Sequence, residues 1–202
     1  MVGEIRKTAR ELLAVATNFL HIGSLQSRKP LKLDDDDCDL DDVIQLALAP
    51  FEDKAKKGGI VLRSSKAFIR ALVRCDRQKL RQILTNLIDN AIKNTPPGGT
   101  VDVTARATPA GEVVIAVRDT GRGIPADRLA QVMMPFAEMD NMFRREAQGI
   151  GLGLPLAMGL AQAHGGALTL DSTKAGTLAE VTLPAYRVIK IFNTDETVRR
   201  AS

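Results

Sequence analysis

The chain has 202 residues, of which 45% are hydrophobic and 3% aromatic, and its formal net charge is +4. This length accommodates one domain of ordinary size plus a small appendage, with a core built mainly from aliphatic side chains. The basic residues are not interleaved with aromatic ones, so the composition argues against nucleic-acid binding. No run approaches 18 apolar residues and no signal-peptide pattern opens the chain. We therefore expect a cytoplasmic piece, although a longer parent protein could be anchored in a membrane.

The two cysteines, Cys38 and Cys75, are 37 positions apart and do not form a Cys-x-x-Cys motif. A single disulfide stays open as an alternative, but the spacing favours a reduced protein.

Small and apolar residues recur at steps of three and four through the first part of the chain, at Ile5, Ala9, Leu12, Ala16, Phe19 and Gly23. This heptad pattern predicts a long amphipathic helix. A lone helix of this length is marginally stable in water, so we expect it to pack against another helix. His21 lies near its end, with no neighbouring acid or base that would activate it.

An acidic stretch follows Pro30, with seven aspartates in the nine residues from Asp34 to Asp42. It lacks the glycine at position six and the glutamate at position twelve that a calcium-binding EF-hand loop requires. The stretch therefore predicts a solvated linker that also supplies acidic residues to the start of the next helix.

The remaining pattern predicts an α/β protein, specifically a two-layer α+β sandwich with one mixed, largely antiparallel sheet and helices on one face. The predicted helices are Val43–Lys57 with a kink at Pro50, Arg77–Thr95, Pro125–Met133 and Gly153–His164. The predicted strands are Ile60–Arg63, Phe68–Arg74, Thr100–Thr108, Glu112–Arg118, Ala167–Ser172 and Thr177–Leu183. Thr100–Thr108 and Glu112–Arg118 should form an antiparallel hairpin. The stretch 134–149 has no clear period and is predicted to be mobile.

The helix Arg77–Thr95 should have two different faces. Its apolar arc contains Leu80, Leu84, Leu87, Ile88, Ala91 and Ile92, whereas Gln82, Asn86, Asn90 and Lys93 lie on another face. Asp76 can cap its first turn, and Pro96-Pro97-Gly98-Gly99 should end it. Stacked carboxamides with a lysine one turn on suit a hydrated Mg²⁺ and phosphate oxygens. The alternative is an ordinary solvent-exposed face.

A second motif, Asp119-Thr120-Gly121-Arg122-Gly123-Ile124, lies at the end of a predicted strand. The glycines permit a sharp turn and close approach to a ligand, and the carboxylate suits an exocyclic amine such as that of adenine. Asp119 could instead only shape the turn. Asp-Thr-Gly is also typical of aspartic proteases, but those need two carboxylates, and this single triplet would then require a homodimer.

A third motif, Gly149-Ile150-Gly151-Leu152-Gly153-Leu154, leads directly into a helix and can present backbone N–H groups to phosphates. It is neither a Walker A loop nor a Rossmann loop. Between the two glycine motifs lies Met134-Pro135-Phe136, in which Phe136 is expected to be a hydrophobic latch. Arg144 and Arg145 could contact phosphates or face water.

Taken in this order, the stretch from about Asp41 to Pro184 resembles the ATP-binding catalytic domain of sensor histidine kinases, which has the Bergerat fold. Asn86–Thr95 matches the family's N box, and Asp119–Gly123 matches its first glycine box. Met134–Phe136 matches its F box, and Gly149–Leu154 matches its second glycine box.

The resemblance implies ATP and Mg²⁺ as cofactors. Asn90 would hold Mg²⁺ together with Asn86, and Asn86 and Lys93 would have catalytic roles beside the phosphates. Asp119 would bind the adenine amino group, with Thr177 near it. Further nucleotide contacts are implied for Gly121, Gly123, Gly149, Gly151, Leu152 and Gly153. Ile150 departs from the family, which commonly has threonine there.

Water-splitting members of the superfamily carry glutamate where this chain has Asn86. The resemblance therefore implies slow hydrolysis and transfer of the γ-phosphoryl group to a protein histidine. Neither His21 nor His164 has the sequence context of the family's phosphorylated histidine. Val2–Gln26 resembles the second dimerisation helix, so we expect a fragment without the acceptor helix that binds ATP and does not phosphorylate itself.

The expected organisation is a truncated dimerisation hairpin at 1–28, an acidic linker at 29–40, the ATP-binding domain at 41–184 and a tail at 185–202. The implied partners are a response-regulator receiver domain and the missing phosphoacceptor helix, with a homodimer in the full-length parent. Two alternatives remain open. One is a nucleotide-binding scaffold without phosphotransfer, and the other is an anti-sigma-type serine kinase, which predicts an acid at position 86.

Overall fold

The computed structural model describes residues 31–64, 69–134 and 152–192. The predicted heptad helix, the unit at 1–28, His21, most of the stretch 134–149 and the end of the chain lie outside the described residues. The same holds for Phe136, Arg144, Arg145, Gly149, Ile150 and Gly151.

The described residues form eight strands and five α-helices, numbered here in chain order. The strands are β1 (Asp36–Asp39), β2 (Val61–Ser64), β3 (Arg70–Cys75), β4 (Thr100–Ala107), β5 (Val113–Asp119), β6 (Ala167–Thr173), β7 (Gly176–Leu183) and β8 (Val188–Phe192). The helices are α1 (Leu40–Leu48), α2 (Glu52–Lys57), α3 (Arg77–Asn94), α4 (Leu129–Val132) and α5 (Gly153–Ala163). The 3₁₀ turn Ala49–Phe51, which contains Pro50, separates α1 from α2 and confirms the predicted kink.

The main sheet has five strands in the order β2-β4-β5-β7-β6. Only β2 and β4 pair in parallel, so the sheet is mixed and largely antiparallel, as predicted. The hairpin β4–β5 is confirmed, and Gly111 takes the left-handed conformation in its turn. Alternate residues of β4 and β7 are buried on one face, which packs against the helices.

Helix α3 lies at the centre of the helix layer, between α1 and α5 and against β5. Asp76 caps its first turn by accepting a 3.0 Å hydrogen bond from the backbone N–H of Lys79. Its apolar arc is buried as predicted, and Ile83 belongs to it as well. Burying one face of α3 in the core fixes the direction of the opposite, polar face.

The single sheet predicted from the sequence is wrong, because β1, β3 and β8 form a second sheet in the order β1-β3-β8. The strand predicted to start at residue 68 starts at Arg70 and belongs to this second sheet. Val188–Phe192 pairs antiparallel with β3, so the predicted tail at 185–202 contains an ordered strand. Arg187 holds this region to the domain by donating to the carbonyl oxygens of His164 at 2.5 Å and Arg74 at 2.9 Å.

The acidic stretch is also more ordered than a solvated linker. Asp36–Asp39 forms β1, in which Asp37 is the cross-strand partner of Arg74 and accepts a 2.7 Å hydrogen bond from it. Pairing with a basic strand offsets the low strand propensity of aspartate. Asp39 caps α1, which confirms the acidic helix start. The described residues hold no group of three or more potential metal ligands among His, Cys, Asp and Glu.

Both cysteines are buried and carry free thiols. Among residues 31–64, 69–134 and 152–192, no helix has the length and apolar character needed to cross a bilayer.

Candidate functional site

The polar face of α3 presents Asn86, Asn90 and Lys93, because the core fixes the opposite face of the helix. The Nδ2 atom of Asn86 is buried and makes no hydrogen bond within the described part of the chain. An unsatisfied buried donor costs about 1–3 kcal/mol, so such atoms are found where a ligand completes the bonding. This atom argues against an ordinary solvent-exposed face.

Asn90 is held in place by Asn94, one helical turn later. The Nδ2 atom of Asn94 donates to the backbone oxygen of Asn90 at 2.8 Å and to its Oδ1 at 3.2 Å. Arg122 in turn donates through Nε to the Oδ1 of Asn94 at 3.2 Å. These hydrogen bonds connect the loop after β5 to Asn90, the residue predicted to bind the metal. Asn94 lies within the N-box match, but the sequence pattern predicted no role for it.

Lys93 forms an ion pair with Asp89, whose Oδ2 lies 2.6 Å from its Nζ. Lys54 on α2 pairs with the other carboxylate oxygen of Asp89 at 2.5 Å. Burial alone would raise the pKa of Asp89, but the hydrogen bonds from Lys54 and Lys93 outweigh it and hold this pKa below its usual value. Sequence reasoning missed Lys54 and Asp89, because their pairing joins positions 35 residues apart.

Asp119 ends β5 with its side chain buried, at 6% exposure. Its Oδ1 accepts from the backbone N–H of Gly121 at 2.8 Å and of Thr177 at 3.2 Å. Neither of these bonds uses Oδ2, which leaves that oxygen as an acceptor. Burial raises the pKa of Asp119, and the two backbone hydrogen bonds oppose the rise. The carboxylate is thus fixed in orientation and partly desolvated, as recognition of an exocyclic amine requires.

Thr177 is nearly buried and lies beside Asp119, as predicted. Its Oγ1 is 2.9 Å from the Oγ of Ser172. Ser172 accepts from the backbone N–H of Ile124 and donates to the oxygen of Gly176, so its single proton is used. Thr177 is therefore the donor of the shared bond, and its oxygen keeps acceptor capacity. Ser172 was not found by sequence reasoning, since a serine near the end of a strand carries no distinctive signal.

The glycines of the first glycine box also have a packing role that the sequence did not predict. A Cβ at Gly121 would lie 2.4 Å from the backbone oxygen of Asn94, and one at Gly123 would lie 1.8 Å from that of Thr173. Gly123 also has a φ of +66°. These glycines thus let the loop pack against α3 and the β6–β7 hairpin, because the protein backbone occupies the space that a side chain would need.

Gly153, at the start of α5, faces the site itself. A Cβ there would have its three nearest neighbours, all atoms of Asn86, at 3.9 Å. The side chain of Leu152 is buried in the core, so its contribution to a ligand site can come only from its backbone. The start of α5 is thereby placed next to the N box, as the predicted order of motifs requires.

His164 is fully buried at the end of α5. Its Nε2 accepts a 3.3 Å hydrogen bond from the backbone N–H of Asp76, so Nδ1 carries the proton and donates to the oxygen of Leu160 at 2.8 Å. Burial lowers the pKa of His164. With both ring nitrogens engaged, this histidine has a structural role.

The donor set fits a nucleotide and a divalent ion. The Nδ2 of Asn86 is an unsatisfied donor, and Asn86 lies beside Gly153 at the start of a helix, a combination that suits phosphate. Carboxamide oxygens are ligands that Mg²⁺ accepts alongside its waters. The Oδ2 of Asp119, which neither of its backbone bonds within the described residues uses, suits the amino group of adenine. These three features lie on elements that one core holds together.

Comparison with known proteins identifies the family of this chain. Residues 75–187 match the family of histidine kinase-, DNA gyrase B- and HSP90-like ATPases. The cell-division control histidine kinase PdhS of Brucella anthropi is 30% identical over an alignment of 195 positions, which covers 92% of this chain and 18% of PdhS. The chain thus spans under a fifth of the length of that relative.

Solved structures show the same fold. The full-length histidine kinase ShkA in complex with AMPPNP superposes with a TM-score of 0.78 and 28% identity, over 91% of this chain and 38% of ShkA. The histidine kinase ThkA in complex with the response regulator TrrA gives a TM-score of 0.66 with 23% identity, over 88% of this chain and 49% of that one. The chain belongs to the histidine kinase-, DNA gyrase B- and HSP90-like ATPase family.

Proposed function

We propose that this module transfers the γ-phosphoryl group of Mg²⁺-ATP to a histidine on a dimerisation helix outside this chain. The bond between the γ-phosphorus and the bridging oxygen breaks, and a bond from that phosphorus to an imidazole nitrogen forms while the imidazole loses a proton. ADP is the leaving group. The phosphohistidine then donates its phosphoryl group to a response-regulator receiver domain. The parent protein acts as a homodimer.

The observation that carries this proposal is the carboxamide of Asn86. Its buried Nδ2 has no partner in the described residues, and its Oδ1 lies near Gly153 at the start of α5. A carboxamide can donate to a phosphate oxygen but cannot take a proton from water, so it cannot serve as the general base of an ATPase. This favours retention of the γ-phosphoryl group for a protein acceptor. It also argues against the anti-sigma-type kinase, which predicts an acid at this position.

Each predicted site residue has a role in the proposal. Asn90 binds Mg²⁺ together with Asn86, and Lys93 contacts the phosphates. Mg²⁺, when bound, neutralises charge on the phosphate oxygens. Asp119 accepts a hydrogen bond from the adenine amino group, and Thr177 holds the carboxylate of Asp119 in place through its backbone N–H. Backbone contacts come from Gly121, Gly123, Gly149, Gly151, Leu152 and Gly153.

The acceptor is expected outside this chain. His164 is buried with both ring nitrogens hydrogen-bonded, so γ-phosphate cannot reach it without local unfolding. His21 lies in a sequence context unlike that of the family's phosphoacceptor. The unit at 1–28 remains the proposed second dimerisation helix, and a cytoplasmic site of action remains a prediction.

The proposal is tested by phosphotransfer to a separate acceptor. The chain is incubated with Mg²⁺ and γ-phosphate-labelled ATP, with and without the dimerisation hairpin of a histidine kinase such as PdhS. We expect label on the acceptor that is stable in base and labile in acid, and no label on this chain by itself. Acceptor hairpins in which the histidine is replaced by glutamine, and the Asn90→Ala chain, are the controls.

Two results would contradict the proposal. ATP binding without transfer to any hairpin tested would support the nucleotide-binding scaffold. Rapid release of inorganic phosphate without an acceptor would indicate an ATPase and would refute the role given to Asn86.

A further inference from the structure

Asp89 places a carboxylate within the polar face that is proposed to bind a triphosphate. It directly precedes Asn90 and lies one helical turn from both Asn86 and Lys93. A negative charge at this position opposes the binding of phosphates, and its pairing with Lys93 competes with them for that lysine. The negative charge of Asp89, between the N-box asparagines, must therefore be neutralised by a cation other than Lys93 if Lys93 is to bind phosphate.

Lys54 is placed to neutralise this charge. Its Nζ lies 2.5 Å from Oδ1 of Asp89, whereas Lys93 uses Oδ2 at 2.6 Å. The two lysines thus take different oxygens and do not exclude each other. Two cations around one carboxylate give the cluster a net charge of +1.

The position of Lys54 is determined by its own helix. α2 packs near β2 and the 3₁₀ turn, with Ala55 buried beneath it. The ammonium group also lies 5.9 Å from the centre of the Phe51 ring, and Phe51 packs against the core. Lys54 is therefore held toward α3 independently of Lys93. It lies outside residues 75–187, so the family match assigns it no role.

We propose that Lys54 is a positioning residue for the triphosphate site, because its pairing with Asp89 releases Lys93 to bind phosphate. Lys54 stays on Asp89 as Lys93 turns to the nucleotide, so the carboxylate remains neutralised in both states. Without Lys54, Asp89 retains Lys93 and weakens phosphate binding. This inference rests on the proposed phosphate contact of Lys93.

The test is a double-mutant cycle read by calorimetric titration with AMP-PNP and Mg²⁺, and in parallel with adenosine. Lys54→Met should weaken AMP-PNP binding about two- to fivefold, the range expected for a half-exposed ion pair. Asp89→Asn should not weaken it, and adding Asp89→Asn to Lys54→Met should restore wild-type affinity. Lys57→Met, on the exposed surface of the same helix, is the matched control and should bind normally. Adenosine, which has no phosphate, should bind all variants equally.

Different failures have different meanings. If Lys54→Met and Lys57→Met have the same affinity, or if Asp89→Asn does not reverse the effect of Lys54→Met, the role of Lys54 is refuted. Equal weakening of adenosine would show a purely structural effect and would also refute it. Lys93→Met separates this inference from its premise, because normal AMP-PNP binding by that variant would overturn the phosphate contact of Lys93 itself.

Discussion

At the scale of single residues, His164 has a structural role, because both of its ring nitrogens form hydrogen bonds inside the core. Its neutral ring bridges the last turn of α5 and the backbone N–H of Asp76, which caps α3. Protonation of Nε2 would place an N–H against another N–H in a buried setting. The position of α3, and with it the N box, thus depends on a neutral imidazole.

This arrangement predicts a specific pH dependence of stability. The pKa of folded His164 is lowered, so between the unfolded value of about 6.5 and the lower folded value the unfolded chain binds more protons. The free energy of unfolding should therefore fall as the pH drops below about 6.5, with a slope approaching 1.4 kcal/mol per pH unit. It should be independent of this residue above that pH.

Urea unfolding of wild type and His164→Gln between pH 5 and 8 measures this dependence. Glutamine cannot titrate, so the variant should lose the slope, and comparing the two chains removes the contributions of the carboxylates. His21→Gln controls for the other histidine. An identical pH dependence of wild type and His164→Gln would contradict this account of the buried ring.

At the scale of elements, two glycine-containing segments surround α3 and differ in what their glycines face. Gly121 is packed against the backbone of Asn94, whereas Gly153 faces the side chain of Asn86. The sequence motifs look equivalent, because both combine glycines with a turn or a helix start. Only the position of the neighbouring backbone separates a packing role from a ligand-facing role.

Alanine substitutions should separate these roles. Gly121→Ala forces a backbone shift and should destabilise the fold by about 1–3 kcal/mol. Gly153→Ala makes ordinary contacts at 3.9 Å and should leave stability unchanged or slightly higher. Its methyl group would lie against Asn86 in the proposed phosphate site, so AMP-PNP should bind about tenfold more weakly, or 1.4 kcal/mol.

Urea unfolding and AMP-PNP titration of both variants provide the comparison. Normal nucleotide affinity in Gly153→Ala would contradict its placement in the site, and normal stability in Gly121→Ala would contradict the packing role of that glycine.

The same scale shows what sequence could predict. Helix α3 was predictable because Asp76 caps it, prolines follow it and its apolar residues recur at helical spacing. The hairpin β4–β5 was predictable because its residues alternate and Gly111 lies in its turn. In these elements, local chemistry and the final structure agree.

Strands β1 and β8 could not be predicted, because their local sequences do not indicate a strand. Four residues of β1 include three aspartates, and β8 is five residues long and pairs with a strand more than 100 positions earlier. Each becomes a strand because it pairs with β3, and this long-range pairing cannot be seen in the local sequence. Lys54 was missed likewise, because its partner Asp89 is 35 positions away in sequence.

At the scale of the whole molecule, one core connects the three parts of the site. α3 carries the carboxamides, β5 ends at Asp119, and α5 starts beside Asn86. Arg187 ties the second sheet to this core by bonding Asp35 at 2.9 Å and the carbonyl of His164. The two ends of the proposed nucleotide site are therefore fixed relative to each other by the fold itself.

We propose above all that a Mg²⁺-nucleotide binds between the carboxamides of α3 and the carboxylate of Asp119. Calorimetric titration with AMP-PNP, with and without Mg²⁺, tests it on wild type, Asn90→Ala and Asp119→Asn. Mg²⁺ should strengthen binding to wild type, and Asn90→Ala should lose that gain while keeping Mg²⁺-free binding. Asp119→Asn should weaken binding about 100-fold in both conditions, since an amide would oppose the adenine amino group with a donor. Wild-type affinity in both variants would contradict the claim.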